Sequence, residues 1–132
     1  MFRELQETFA KVVKLAEERN EEYRRLRPRE ENGILDISNI EDLEYSQKEE
    51  ELFDYLNSLD FETVKVIQTI MYLGRDHDYC KEDSFEIRYN KYRKYHELNG
   101  WNEKEVEIMQ MVQKMPLDTY LSDGFKILGI NI

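Results

Sequence analysis

The sequence predicts an all-α fold, a single-domain bundle of about six helices, and three observations carry that expectation. Apolar residues recur at three-to-four spacing through most of the chain. Helix-starting pairs and helix-stopping Gly or Pro residues separate the periodic stretches. No repeat of fixed period and no low-complexity tract competes with this pattern. At 132 residues the chain suits one domain, 1–132, that needs no disulfide or structural metal to hold a core.

The first element is a long N-terminal helix, 1–27. Its stripe is Phe2, Leu5, Phe9, Val12, Val13, Ala16, Tyr23 and Leu26, its solvated face carries Glu17, Glu21, Arg24 and Arg25, and Pro28 stops it. Residues 28–45 keep no sustained period and read as an acidic crossing segment. Asn32-Gly33 makes a turn, and Ile34, Leu35, Ile37, Ile40 and Leu43 pin the segment across the bundle, a short strand being the other option.

The helical core follows over 46–132. Ser46 and Glu49 form a capping box ahead of Leu52, Phe53, Leu56 and Leu59. Asp60 caps a helix that is apolar around most of its girth, leaving Lys65, Gln68, Thr69 and Tyr72 as a polar strip, so this is the expected central helix; Gly74 closes it. A second box, Asp83 with Glu86, opens a helix from Ser84 to Leu98 that Asn99-Gly100 stops. Asn102 with Glu105 repeats the device before Val106, Ile108, Met109, Met111, Val112 and Met115. Pro116 starts the last helix, whose face is Leu117, Tyr120, Leu121, Gly124, Phe125 and Leu128, and Gly129 ends it.

Charge is the most uneven property of the chain. The net charge is −10, yet residues 30–62 alone hold twelve acids against Lys48. Both flanking regions are nearly neutral, and an asymmetry of this kind bears on partners more than on fold. The single cysteine, Cys80, excludes an internal disulfide and a zinc quartet, and is expected to be buried or semi-buried. The opening MFRELQETFAKVV lacks the apolar run of a secretory signal, and no stretch approaches the about eighteen apolar residues of a membrane span. A cytoplasmic protein with no membrane partner is the expectation.

Three stretches offer chemistry. Carboxylates at Glu41, Asp42, Glu44, Glu49, Glu50, Glu51 and Asp54 would face a basic protein surface. In that reading the chain is a non-enzymatic interaction module, and at its sharpest a nucleic-acid-mimicking inhibitor of a bacterial nucleic-acid-binding or defence protein, in the manner of an anti-CRISPR protein. The alternative is an enzyme or metal-dependent module at the turn Arg75, Asp76, His77 and Asp78, joined by His96. The spacing fits no EF-hand, and no HxxxH or ExxH pair exists, so the plainer reading is a corner in which Arg75 pairs with Asp76 or Asp78. The third stretch, 88–96, interleaves Arg88, Lys91, Arg93 and Lys94 with Tyr89, Tyr92 and Tyr95, as a direct nucleic-acid contact would. The acidic segment opposes a polyanion, which weighs against it. No glycine-rich phosphate loop or other cofactor fingerprint is present, and no cofactor is expected.

The stretch LNSLDFETVKVIQTIMYLGRDHDY, through Leu59, Val64, Ile67, Met71, Tyr72, Leu73, Gly74, Arg75 and Asp76, resembles a small bacterial family of domains of unknown function. The tail MPLDTYLSDGFKILG is similar to that family's closing helix at Pro116, Tyr120, Leu121, Gly124 and Leu128. The resemblance spans about half the chain. It implies a helical fold with Gly74-Arg75 as a fold-level corner, and no activity.

Overall fold

A computed structural model describes residues 1–26, 47–114 and 116–132, and among these every regular element is helical. A 3₁₀ turn at Arg3–Leu5 leads into α1 (Gln6–Leu26), followed by α2 (Gln47–Ser58), α3 (Phe61–Asp76), α4 (Phe85–Asn99), α5 (Lys104–Val112) and α6 (Leu117–Ile127). No described helix is long and apolar enough to cross a membrane. The crossing segment 28–45, Ser46 of the first capping box, Met115, and the candidates Glu41, Asp42 and Glu44 lie outside the described residues.

α3 is the centre of the bundle, as its girth of apolar residues predicts. It packs on α4, α5 and above all α6, while α1 covers α2 and α6, and α2 closes against α5. One core joins Phe9, Val12 and Ala16 of α1 to Leu52 and Leu56 of α2, Ile67, Ile70 and Met71 of α3, Ile108 and Met111 of α5, and Leu121 and Phe125 of α6. Burying each such side chain stabilises the fold by about 1.5–3 kcal/mol before chain entropy is counted.

The expected role of Gly74 is corrected. The helix runs on to Asp76 and is closed by His77, a left-handed residue at φ 53° whose N–H donates to Leu73 O at 2.9 Å. Gly74 lies inside α3 because α6 crosses there: a Cβ would stand 1.8 Å from Tyr120 O, and one at Gly124 would stand 2.2 Å from Ile70 O. The two glycines let the backbones of α3 and α6 touch.

Other helix starts shift by a residue. Ser84, not Asp83, caps α4, its hydroxyl accepting from Ile87 N at 3.3 Å, and Asp83 instead accepts from Lys91 Nζ at 2.8 Å. Glu103, not Asn102, occupies the cap of α5, and Asn102 N–H donates to Glu107 Oε1 at 2.9 Å. Pro116 caps α6 rather than filling its first turn. Asp60 does cap α3, although its carboxylate accepts from the Thr63 hydroxyl rather than from backbone. Gly100 and Gly129 close α4 and α6 at positive φ, as expected.

Candidate functional site

α3 and α4 each deliver three side chains at i, i+3 and i+4, a spacing that places them on one face of a helix. From α3 come Tyr72, Arg75 and Asp76; from α4 come Tyr92, Tyr95 and His96. The loop after Gly100 adds Trp101, and the first turn of α5 adds Glu107. Together they line a cleft of ≈ 370 Å³.

His96 is at its middle. Its imidazole lies 5.0 Å from the Tyr72 ring, 5.8 Å from Tyr92, 5.6 Å from Tyr95 and 5.6 Å from Trp101, centroid to centroid. Nε2 is shielded from solvent and has no hydrogen-bond partner among the described residues. Burial lowers the His96 pKa below its ordinary value, against the opposing charges of Glu107 and Asp76.

Asp76 is held from two sides. Arg75 Nε donates to Oδ1 at 2.7 Å and the Tyr92 hydroxyl donates to Oδ2 at 2.6 Å. Burial works against its ionisation but is outweighed by these hydrogen bonds and the Arg75 charge, so the Asp76 pKa falls below the usual carboxylate value. The Tyr92 phenol moves upward, through burial first and then through its bond to Asp76. Arg75 also lies over the Tyr72 ring, 4.5 Å from its centroid.

Glu107 is 5% exposed. Its Oε1 accepts from Asn102 N and its Oε2 accepts from Gln68 Nε2 at 2.7 Å, both neutral donors. Gln68 and Thr69, part of the polar strip of this helix, are fully buried. Gln68 Nε2 donates to Glu107 Oε2 on α5, the Thr69 hydroxyl donates to Lys65 O at 2.8 Å within α3, and Gln68 Oε1 has no partner among the described residues.

Of the five residues of the turn hypothesis, Arg75, Asp76 and His96 come together. His77 points to α6, its Nε2 3.5 Å from Asp123 Oδ2. Asp78 borders a neighbouring cleft of ≈ 520 Å³ with Tyr79, Cys80 and Asp83. Among the described residues no group of three or more His, Cys, Asp or Glu is arranged to hold a metal ion. Cys80 is exposed, not buried, because it belongs to the loop between α3 and α4.

The cations of 88–96 are mostly engaged. Arg88 donates to Ile127 O and Lys81 O, each at 2.8 Å, Lys91 pairs with Asp83, and Arg93 joins Glu62 at 3.0 Å and Glu97 at 2.7 Å. Tyr89 is buried, Tyr92 half-buried and Tyr95 61% exposed, so the row turns from core to surface along the helix.

The described acids of α2 also divide. Glu49 turns inward, 3.8 Å from Arg19 Nη1, and burial raises its pKa against the pull of Arg19. Glu51 shares Lys48 with Glu18, and Glu50 and Asp54 stand exposed. Arg19 itself, 1% exposed, was absent from the expected stripe of α1. Its Nη1 donates to Val112 O and its Nη2 to Lys114 O at 2.6 Å. No family model matches this chain, and no curated protein or solved structure is significantly similar to it.

Proposed function

We propose that this chain is a non-catalytic acidic interaction module whose α1–α2 edge engages a basic surface on a partner protein, the favoured partner class being a nucleic-acid-binding protein. The observation that supports this reading is the surplus of carboxylates around Lys48. Its Nζ lies 3.4 Å from Glu18 and 3.3 Å from Glu51, and its backbone N–H lies 3.5 Å from Glu22 Oε1. One ammonium is thus shared by the acidic edges of two helices. On the same helix Glu50 and Asp54, four residues apart, are exposed and meet no cation among the described residues. A basic groove built for a phosphate row attracts such an edge by the same long-range field. The module would then act by occupying that groove, as an inhibitor or regulator of a bacterial nucleic-acid-binding or defence protein.

The test is binding to nucleic-acid-binding proteins of the host, measured in rising salt. Affinity falls as salt rises, duplex DNA displaces the module, and a Glu50→Gln, Glu51→Gln, Asp54→Asn variant binds at least about tenfold more weakly, equivalent to about 1.4 kcal/mol. A partner held equally well by the triple variant refutes the reading.

A further inference from the structure

We propose that the cleft between the ends of α3 and α4 and the start of α5 binds a small organic cation, a guanidinium or alkylammonium group, against Glu107. The site is distinct from the acidic edge of α2 and does not depend on it.

Glu107 is the main reason. Its side chain is nine-tenths buried, lines the cleft, and has no cation within ion-pairing distance among the described residues. Two neutral N–H donors hold its oxygens. A buried charge is ordinarily paired, and here the open side belongs to the cleft. The cations nearby are committed elsewhere: Arg75 is answered by Asp76, and Arg93 by Glu62 and Glu97. A carboxylate of this kind meets a guanidinium through a two-pronged, charge-assisted contact.

The walls suit the same class of ligand. Tyr72 already attracts Arg75, and Trp101 attracts Arg93 at 5.6 Å and Lys65 at 5.7 Å. Tyr92 and Tyr95 line the cleft with no such cation on them among the described residues. The ≈ 370 Å³ volume holds a guanidinium with a short alkyl chain. His96 adds no positive charge near neutrality, since burial disfavours its protonated form. Asp76 is balanced by Arg75 in the same lining, so an anion would meet the uncompensated Glu107, and a metal ion lacks a ligand set among the described residues.

Trp101 is the only tryptophan in the chain, so its fluorescence reports on the cleft directly. The full chain is titrated with agmatine, with an acetylated Gly-Arg-Gly amide, and with N-butylurea as a neutral mimic, all at constant ionic strength. Agmatine or the tripeptide gives a saturable change and N-butylurea gives none. Tighter binding of the tripeptide identifies the arginine of a partner as the source, and tighter binding of agmatine identifies a free amine. Glu107→Gln weakens the effective cation at least about tenfold. Tyr95→Ala, at an exposed position that leaves the core untouched, weakens it at least about threefold and serves if Glu107→Gln fails to fold. Absence of saturation by both cations, or unchanged affinity in a folded variant of either kind, overturns the proposal.

Discussion

Arg19 on α1 and Glu107 on α5 are buried to a similar degree, yet the first is gripped by acceptors from two further elements while the second faces a cleft with only neutral donors beside it. Arg19 joins the last carbonyls of α5 to Glu49 of α2, using its charge where a helix C-terminus is negative. Burial lowers its pKa, and the charges of Glu49 and Asp118 oppose that loss. Every group named there belongs to the fold. Among the described residues Glu107 meets hydrogen-bond donors but no opposite charge, and His96 Nε2 and Gln68 Oε1 have no partners. Burial alone therefore does not mark a site; uncompensated charge beside an open volume does.

The comparison breaks most visibly at Arg19. Arg19→Ala removes the donors to Val112 O and Lys114 O and takes away the positive charge beside the half-buried Glu49. The expected loss is about 2–4 kcal/mol, chiefly from two shielded carbonyls left without a donor, and is read from urea unfolding. A loss under about 1 kcal/mol would place Arg19 among ordinary surface cations and dissolve the contrast. Tyr92→Phe is milder. It removes one hydrogen bond to a partly exposed carboxylate and costs about 1 kcal/mol in the same assay. Because that bond helps hold Asp76 low, the Asp76 pKa moves toward its ordinary value, visible by NMR titration.

The next effect is pH-dependent and smaller again, because His96 is only half-buried. Well above pH 6.5 the imidazole is neutral in folded and unfolded chains alike and contributes no slope. As pH falls below that value the unfolded chain takes up a proton that the caged ring resists, and folded stability declines until the lowered folded-state pKa has been passed. His96→Gln removes this component. Unfolding free energies at pH 7.5 and pH 5 should therefore differ more in the parent than in the variant; equal differences would show that the aromatic cage leaves His96 unperturbed.

Much of the fold can be read from the residues, and the site much less. Periodicity finds the central helix because Val64, Ile67, Ile70 and Met71 leave little of its circumference polar. It marks Gln68 and Thr69 as polar without deciding whether they are buried, since a polar residue is solvated or buried according to what its neighbours offer it, and that is a tertiary fact. Gly74 reads as a stop signal because left-handed caps favour glycine, while the close approach of Tyr120, 46 positions away, has no local trace. Arg19 had a trace: it lies three residues after Ala16 and seven after Val12, on the apolar stripe. Glu107, next to Ile108 in a buried row, had another. In contrast, the gathering of Tyr72, His96 and Trp101 depends on how α3, α4 and the Gly100 loop meet. Of the two apolar rows of α5, the structure buries Ile108, Met111 and Val112 and leaves Val106 and Met109 exposed.

The smallest expected effect concerns the outer acids of α2 and sharpens the contrast from the other side. Glu50 and Asp54 are exposed, with no ion pair among the described residues, so neither their desolvation nor a lost contact enters the folding equilibrium. Glu50→Gln with Asp54→Asn should change unfolding free energy by no more than about 0.5 kcal/mol, whereas Arg19→Ala, acting on the inner side of the same helix through Glu49, changes it several-fold more. Relief of repulsion between two carboxylates at i and i+4 makes a slight gain the favoured sign, and raising salt erases it by screening. A substantial loss would mean that these acids serve the fold, as Glu49 does, and would withdraw them from any partner surface.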